Sequence, residues 1–144
     1  TGVQTCALPI CMTQQIDRVY RTNRHLNELS ALLSGVQTNM TEYLSVKTSD
    51  SLESFYRSEQ EFRLMVEELN TRVTQDDFDR MERNIRKMSE NYLDIAEQTI
   101  EAKRGRNVEK YRQRYESATA LYENIHDYIE SLNTEQFKRN KLFY

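Results

Sequence analysis

From Met12 to Tyr144 the chain has no proline and only two glycines, Gly35 and Gly105. Proline removes a backbone donor and clashes with the preceding turn; glycine is the other residue that most weakens a helix interior. A segment this long that avoids both is most simply helical throughout. The hydrophobic fraction is 38% and the charged fraction 30%, a balance that suits solvated amphipathic helices. At this length a single domain is expected. The net charge of -3 gives no reason to expect a nucleic-acid partner. Apolar runs are about three residues long, as at Ala31-Leu32-Leu33, far short of the ~20 needed to cross a bilayer.

The first ten residues, Thr1 to Ile10, back-translate to ACT GGA GTT CAG ACG TGT GCT CTT CCG ATC, which resembles a common short-read sequencing adapter. Residues 1–11 are therefore read as adapter-derived and without a fold. Setting them aside removes Cys6, Cys11 and Pro9, all the cysteine and proline in the chain. Cysteine usage then carries no information about redox compartment.

Apolar residues recur at spacings of three and four in four segments. The first, about 12–47, runs through Ile16, Val19, Asn23, Leu26, Leu29, Leu33, Val36, Met40 and Tyr43. The second, about 51–73, uses Leu52, Phe55, Glu59, Phe62, Val66, Leu69 and Val73, with Asp50 and Glu53 as a capping box. The third, about 75–104, uses Phe78, Met81, Ile85, Met88, Tyr92, Ile95, Thr99 and Ala102, with Thr74 as N-cap. Lys103, Arg104 and Gly105 are placed to end it. The fourth, about 107–141, follows a cap at Asn107 and uses Val108, Tyr111, Tyr115, Ala118, Tyr122, Ile125, Ile129, Leu132 and Gln136. Short connections make successive helices antiparallel. The expected fold is all-α: an up-down-up-down four-helix bundle whose long first and last helices protrude together as a stalk. Gly35 lies inside the first helix, either as a tolerated surface residue or at a kink or close approach.

Chemistry is sparse. His25 and His126 have no second histidine or cysteine at ligand spacing, and no metalloprotease, zinc-finger, di-iron, phosphate-loop or nucleophile-elbow pattern occurs. No catalytic residue, metal site or cofactor is expected, and the chain itself is not expected to be an enzyme. The basic cluster Lys103-Arg104-Gly105-Arg106 has two readings, a site for an anionic partner and, more cheaply, a charge complement to a helix C-terminus. Polar residues fall on the predicted seams at Asn23, Glu59, Thr99 and Gln136, and tyrosines at Tyr111, Tyr115 and Tyr122. The plainer reading is seam-edge snorkelling. The sharper one is a polar interhelical pocket for a small ligand, with Glu59, Tyr111 and Tyr115 as its candidates.

Three stretches carry a resemblance: Thr48-Ser49-Asp50-Ser51-Leu52-Glu53-Ser54-Phe55-Tyr56, Asn84 to Tyr111, and Tyr122 to Asn133. Together they are similar to the sensor segments of YesM-type membrane histidine kinases of clostridial bacteria, over most of residues 12–144. The resemblance implies an extracytoplasmic sensor at the cell membrane, between one span upstream and one downstream. A HAMP linker and a kinase would follow in a homodimeric parent that phosphorylates a response regulator. A small molecule or a binding protein would be the signal. Neither histidine sits in a phospho-acceptor context. The rival reading is a soluble helical interaction or scaffold module without a ligand.

Overall fold

The computed structural model describes the backbone of residues 9–69 and 77–142, and the side chains of residues 24–69, 77 and 79–133. Four helices and their turns account for all described residues: α1 (Pro9–Val46), α2 (Ser49–Glu67), α3 (Asp77–Arg104) and α4 (Val108–Leu142). The fold is an all-α four-helix bundle. α1 opens on Pro9, a residue suited to a first helical position, so residues 9–11 of the adapter-like stretch are helical. The expected Thr74 cap and Val73 lie outside the described residues, as do the side chains of Asn23, Phe78 and Gln136.

The helices are not equivalent. α1 packs on α2, α4 and α3, and α3 packs on α4, α2 and α1, whereas among the described residues α2 and α4 make no close backbone approach. α1 and α3 thus span the short diagonal. Leu33, Val36 and Met40 of α1 and Ile85, Tyr92, Ala96 and Ile100 of α3 are completely buried. Each large aliphatic side chain so placed contributes roughly 1.5–3 kcal/mol. Contact on three sides widens the buried face of α3. Ser89, Leu93, Ala96 and Ile100 are buried there, while Met88 and Ile95, expected in the core, are half-buried. α4 has two neighbours and a narrower core stripe at Ala118, Ile125 and Ile129. Its predicted core residue Val108 is exposed, and Tyr111, Tyr115 and Tyr122 sit at the seam edge.

The helix ends show what periodicity does not reveal. The cap of α2 is Thr48, not Asp50: its hydroxyl accepts from the Ser51 amide, and the Ser51 hydroxyl accepts from the Thr48 amide at 3.1 Å. This reciprocal box lies two residues before the expected one and satisfies two orphan donors. The apolar pattern of α2 runs on to Val73, yet the helix stops at Glu67. The Arg86 guanidinium, reaching from α3, donates to the carbonyls of Glu67 (2.9 Å) and Leu69 (3.0 Å) at that end. A cation there satisfies orphan carbonyls and meets the negative end of the dipole.

Both turns at the opposite end use a left-handed residue that is not glycine. Lys47 has φ 48° and Arg106 φ 60°. After α3 the Asn107 amide bonds the Ala102 carbonyl and the Arg106 amide that of Lys103, a Schellman motif with Arg106 at the left-handed position. Gly105, expected to serve there, keeps a negative φ. Asn107 caps α4 as expected, its Oδ1 accepting from the Lys110 amide at 3.1 Å.

A methyl group on Gly35 meets no atom within 4 Å, which favours the tolerated-surface reading over a close approach. Gly35→Ala is expected to stabilise the chain by about 0.5–1 kcal/mol. Arg86→Met is expected to cost about 1.5–3 kcal/mol, because charge-assisted bonds to buried-end carbonyls are lost. Urea denaturation of each variant measures both effects.

Candidate functional site

The seam polar residues resolve into two separate arrangements. The first lies between α2 and α3. Glu59 is 8% exposed, on the inward stripe of α2 with Phe55 and Phe62. One turn on, Arg63 Nη2 stands 3.6 Å from Glu59 Oε1 and 2.9 Å from Glu97 Oε1 on α3. One guanidinium therefore serves two carboxylates. Oε2 of Glu59 is buried and meets no donor. Burial, above all, pushes the Glu59 carboxyl up to about 7; Glu97 pushes the same way through a hydrogen bond and its charge, and Arg63 opposes both. A proton on Glu59 lets it donate to Glu97 instead of repelling it. Thr99, the other buried seam residue, bonds back to the Ile95 carbonyl at 2.8 Å and needs no ligand.

The second arrangement runs between α1 and α4. Four pairs bridge it: Asn27 with Asn133 (3.0 Å), Ser34 with Tyr122 (3.0 Å), Gln37 with Thr119 (3.0 Å) and Thr41 with Tyr115 (2.9 Å). Partner numbers fall as those of α1 rise, so these two helices run antiparallel. Ser34 and Thr41 are one heptad apart, as are Tyr122 and Tyr115, so the same hydroxyl–hydroxyl rung repeats. Gln37 does more than bridge two helices. Its Oε1 accepts from the Tyr92 hydroxyl of α3 at 2.7 Å. Tyr92 is wholly buried, and burial pushes its phenol well above its usual range, so it stays a neutral donor.

Glu59 is on the α2–α3 seam, Tyr115 on the α1–α4 seam, and Tyr111 at the turn between α3 and α4 beneath the Lys103 ammonium, 4.6 Å from its ring centre. Among the described residues α2 and α4 make no close backbone approach, so the three residues stand at three separate places in the bundle. Arg63, Glu97 and Gln37 complete these sites and escape sequence reasoning, because none interrupts an apolar stripe. A shallow groove beside the Asn27–Asn133 pair is lined by Ser30, His126, Ile129 and Glu130. On its rim the ligand atoms of His126, Asp127 and Glu130 come within 4.8 Å of one another, all exposed. His25 stands half-exposed on α1. Among the described residues no helix is long and apolar enough to cross a membrane.

Neither protein-family models nor curated proteins match this chain. Among solved structures, a chain of the XylFII-LytSN complex is similar, with a TM-score of 0.72 at 15% identity, covering 83% of this chain and 98% of that one. At that identity the likeness is one of fold.

Between about 4.5, its ordinary value, and about 7, Glu59 holds a proton in the folded chain that the unfolded chain has released. Stability from this group is therefore full at the acid end of that window and falls as pH rises through 7. Glu59→Gln is expected to flatten that fall and to exceed the parent at pH 8 by on the order of 1 kcal/mol, read from urea titrations across the window. Tyr92→Phe leaves Gln37 Oε1 without its donor and is expected to cost about 1–2 kcal/mol in the same assay.

Proposed function

We propose that this chain is the extracytoplasmic sensor domain of a membrane sensor histidine kinase of the YesM type. The observation that carries the reading is the α1–α4 seam. The two longest helices are joined by hydroxyl and amide pairs along a face where a structural bundle uses interlocked aliphatic side chains. Such pairs re-form with neighbouring partners after a shift of ~1–2 Å, the scale of interface helix movements. An apolar seam resists the same shift because its knobs must leave their holes.

In this reading the four helices run up, down, up and down. Both termini then lie at one end, where α1 and α4 lead into the flanking membrane spans of a homodimeric kinase. Contact at the other end would bias two packings of the bundle. Displacement of α4 against α1 would carry the signal inward, toward phosphorylation of a response regulator. The contact must favour one packing over the other for any signal to pass. Support comes from the resemblance in residues 48–56, 84–111 and 122–133, and from the likeness in fold to a chain of the XylFII-LytSN complex. That neighbour is part of an assembly of two proteins, which supports sensing through a binding protein over direct capture of a small molecule. The separation of Glu59 from Tyr111 and Tyr115 weighs the same way.

The deciding experiment is to recover the DNA on both sides of this coding segment. Apolar stretches of ~20 residues on each side, with kinase motifs downstream, are the expected result. Polar flanks on both sides would sink the reading and leave a soluble helical interaction module. In the intact kinase, Ser34→Ala with Tyr122→Phe is expected to change basal or stimulated autophosphorylation, while unaltered signalling would remove the role given to this seam.

A further inference from the structure

The chain as a whole is acidic, with 20 basic against 23 acidic residues, but the α3–α4 turn reverses that sign. Between 103 and 114 there are six basic residues, Lys103, Arg104, Arg106, Lys110, Arg112 and Arg114, against Glu109 alone. The other turn adds Lys47, with Asp50 close behind it in the first turn of α2. Thr41 pairs with Tyr115; continuing from that rung, Val46 lies about 7 Å and Val108 about 10 Å further toward this end. The two turns are therefore level with each other on adjacent helices.

The C-terminal charge of α3 accounts for Lys103 and Arg104. It does not account for the rest. Lys110 stands in the first turn of α4, where the helix end is positive and a cation is unfavourable. Arg106 and Lys47 hold left-handed backbone conformations that glycine or asparagine would occupy with less strain. Val46 and Val108, 48% and 61% exposed, are two of the four large apolar side chains left exposed among the described residues. Elsewhere Arg24 pairs with Glu28, Arg57 with Glu53, Arg63 with Glu97 and Arg86 with Glu90. Among the described residues, Lys47, Arg106, Lys110 and Arg112 form no ion pair. These features lie together at one end of the bundle.

We infer that this end, centred on Val46 and Val108 and rimmed by Lys47, Arg106, Lys110 and Arg112, is a docking surface for a partner protein that presents an acidic rim around an apolar centre. The charge selects an acidic surface and guides its approach. The exposed valines favour a protein over an anionic polymer, since a polymer of phosphates or sulfates has no apolar group to cover them. The inference deepens the sensor reading by naming the partner's surface, and rests on it only for the statement that this end faces away from the membrane.

The test uses the whole 144-residue chain and a displayed library of random peptides as the probe. Selection is expected to enrich peptides that combine Asp or Glu with a large apolar residue. A synthetic copy of one should bind roughly tenfold or more weakly to the Lys110→Glu, Arg112→Glu double variant. It should bind several-fold more weakly to Val108→Ser, and lose affinity as salt rises. Leu64→Ser, at an exposed apolar residue on α2 outside the surface, should bind as the parent does. Circular dichroism checks that each variant is folded. Failure to enrich any peptide, enrichment of neutral or basic ones, or equal binding to the charge-reversed variant overturns the inference. So does tight binding of inorganic polyphosphate that depends on Lys110 and Arg112 but not on Val108, which would mark a polyanion site instead. Polar DNA flanks with peptide binding intact would remove the sensor reading and leave this surface standing; membrane-spanning flanks without binding would do the reverse.

Discussion

A single side chain, Gln37, holds three of the four helices in register. Its amide accepts from the buried phenol of Tyr92 on α3 and donates to Thr119 on α4, while its backbone belongs to α1. A wholly buried tyrosine hydroxyl needs a partner, since leaving it unpaired costs about 1–3 kcal/mol. That need fixes where α3 stands along α1, and the second half of the same amide fixes α4. The fully buried aliphatic layers above and below, Leu33, Val36, Met40, Ile85 and Ile100, then pack around a specified register. Apolar contact supplies most of the stabilisation but is nearly indifferent to sliding by a heptad; the Tyr92–Gln37–Thr119 contacts are not.

The remaining polar groups divide by seam. Between α2 and α3 a carboxylate pair shares one arginine at 2.9 and 3.6 Å, and Arg86 reaches across to close the end of α2. This seam is tuned by charge and so responds to pH. Between α1 and α4 neutral hydroxyls and amides meet instead, with no carboxylate among the four pairs. The turn end, with its unpaired cations and left-handed Lys47 and Arg106, is organised by neither. Departures from local rules gathered in one place are where function is expected to compete with stability.

Much of the architecture was legible because helices announce themselves by period. The stripes through Leu26, Leu29, Leu33, Val36 and Met40, and through Phe55, Glu59, Phe62 and Val66, are buried as their spacing implies. Glu59 and Thr99 were marked as polar intrusions and are indeed buried. Spacing failed where one helix meets several neighbours. α3 buries Ser89, Leu93 and Ala96 because it faces three partners, and a single-stripe reading has no means of widening. It failed again at ends, where Arg86 stops α2 before the apolar pattern does, and where Thr48 and Ser51 cap it instead of Asp50 and Glu53. Tyr111 and Tyr115 share a stripe with each other but not a seam with Glu59, which only the order of helices around the bundle can decide.

The sequence by itself determined that the chain is helical, how many helices it forms, and roughly which face of each is apolar. Those properties are local: they follow from missing breakers, turn chemistry and a period of three to four residues. The tertiary structure alone decided that α1 and α3 share the diagonal, that Arg63 links two carboxylates, that Gln37 joins three helices, and that the two turns with left-handed residues form one end. Such facts depend on pairing residues 34 to 106 positions apart, and no local preference carries information over that distance.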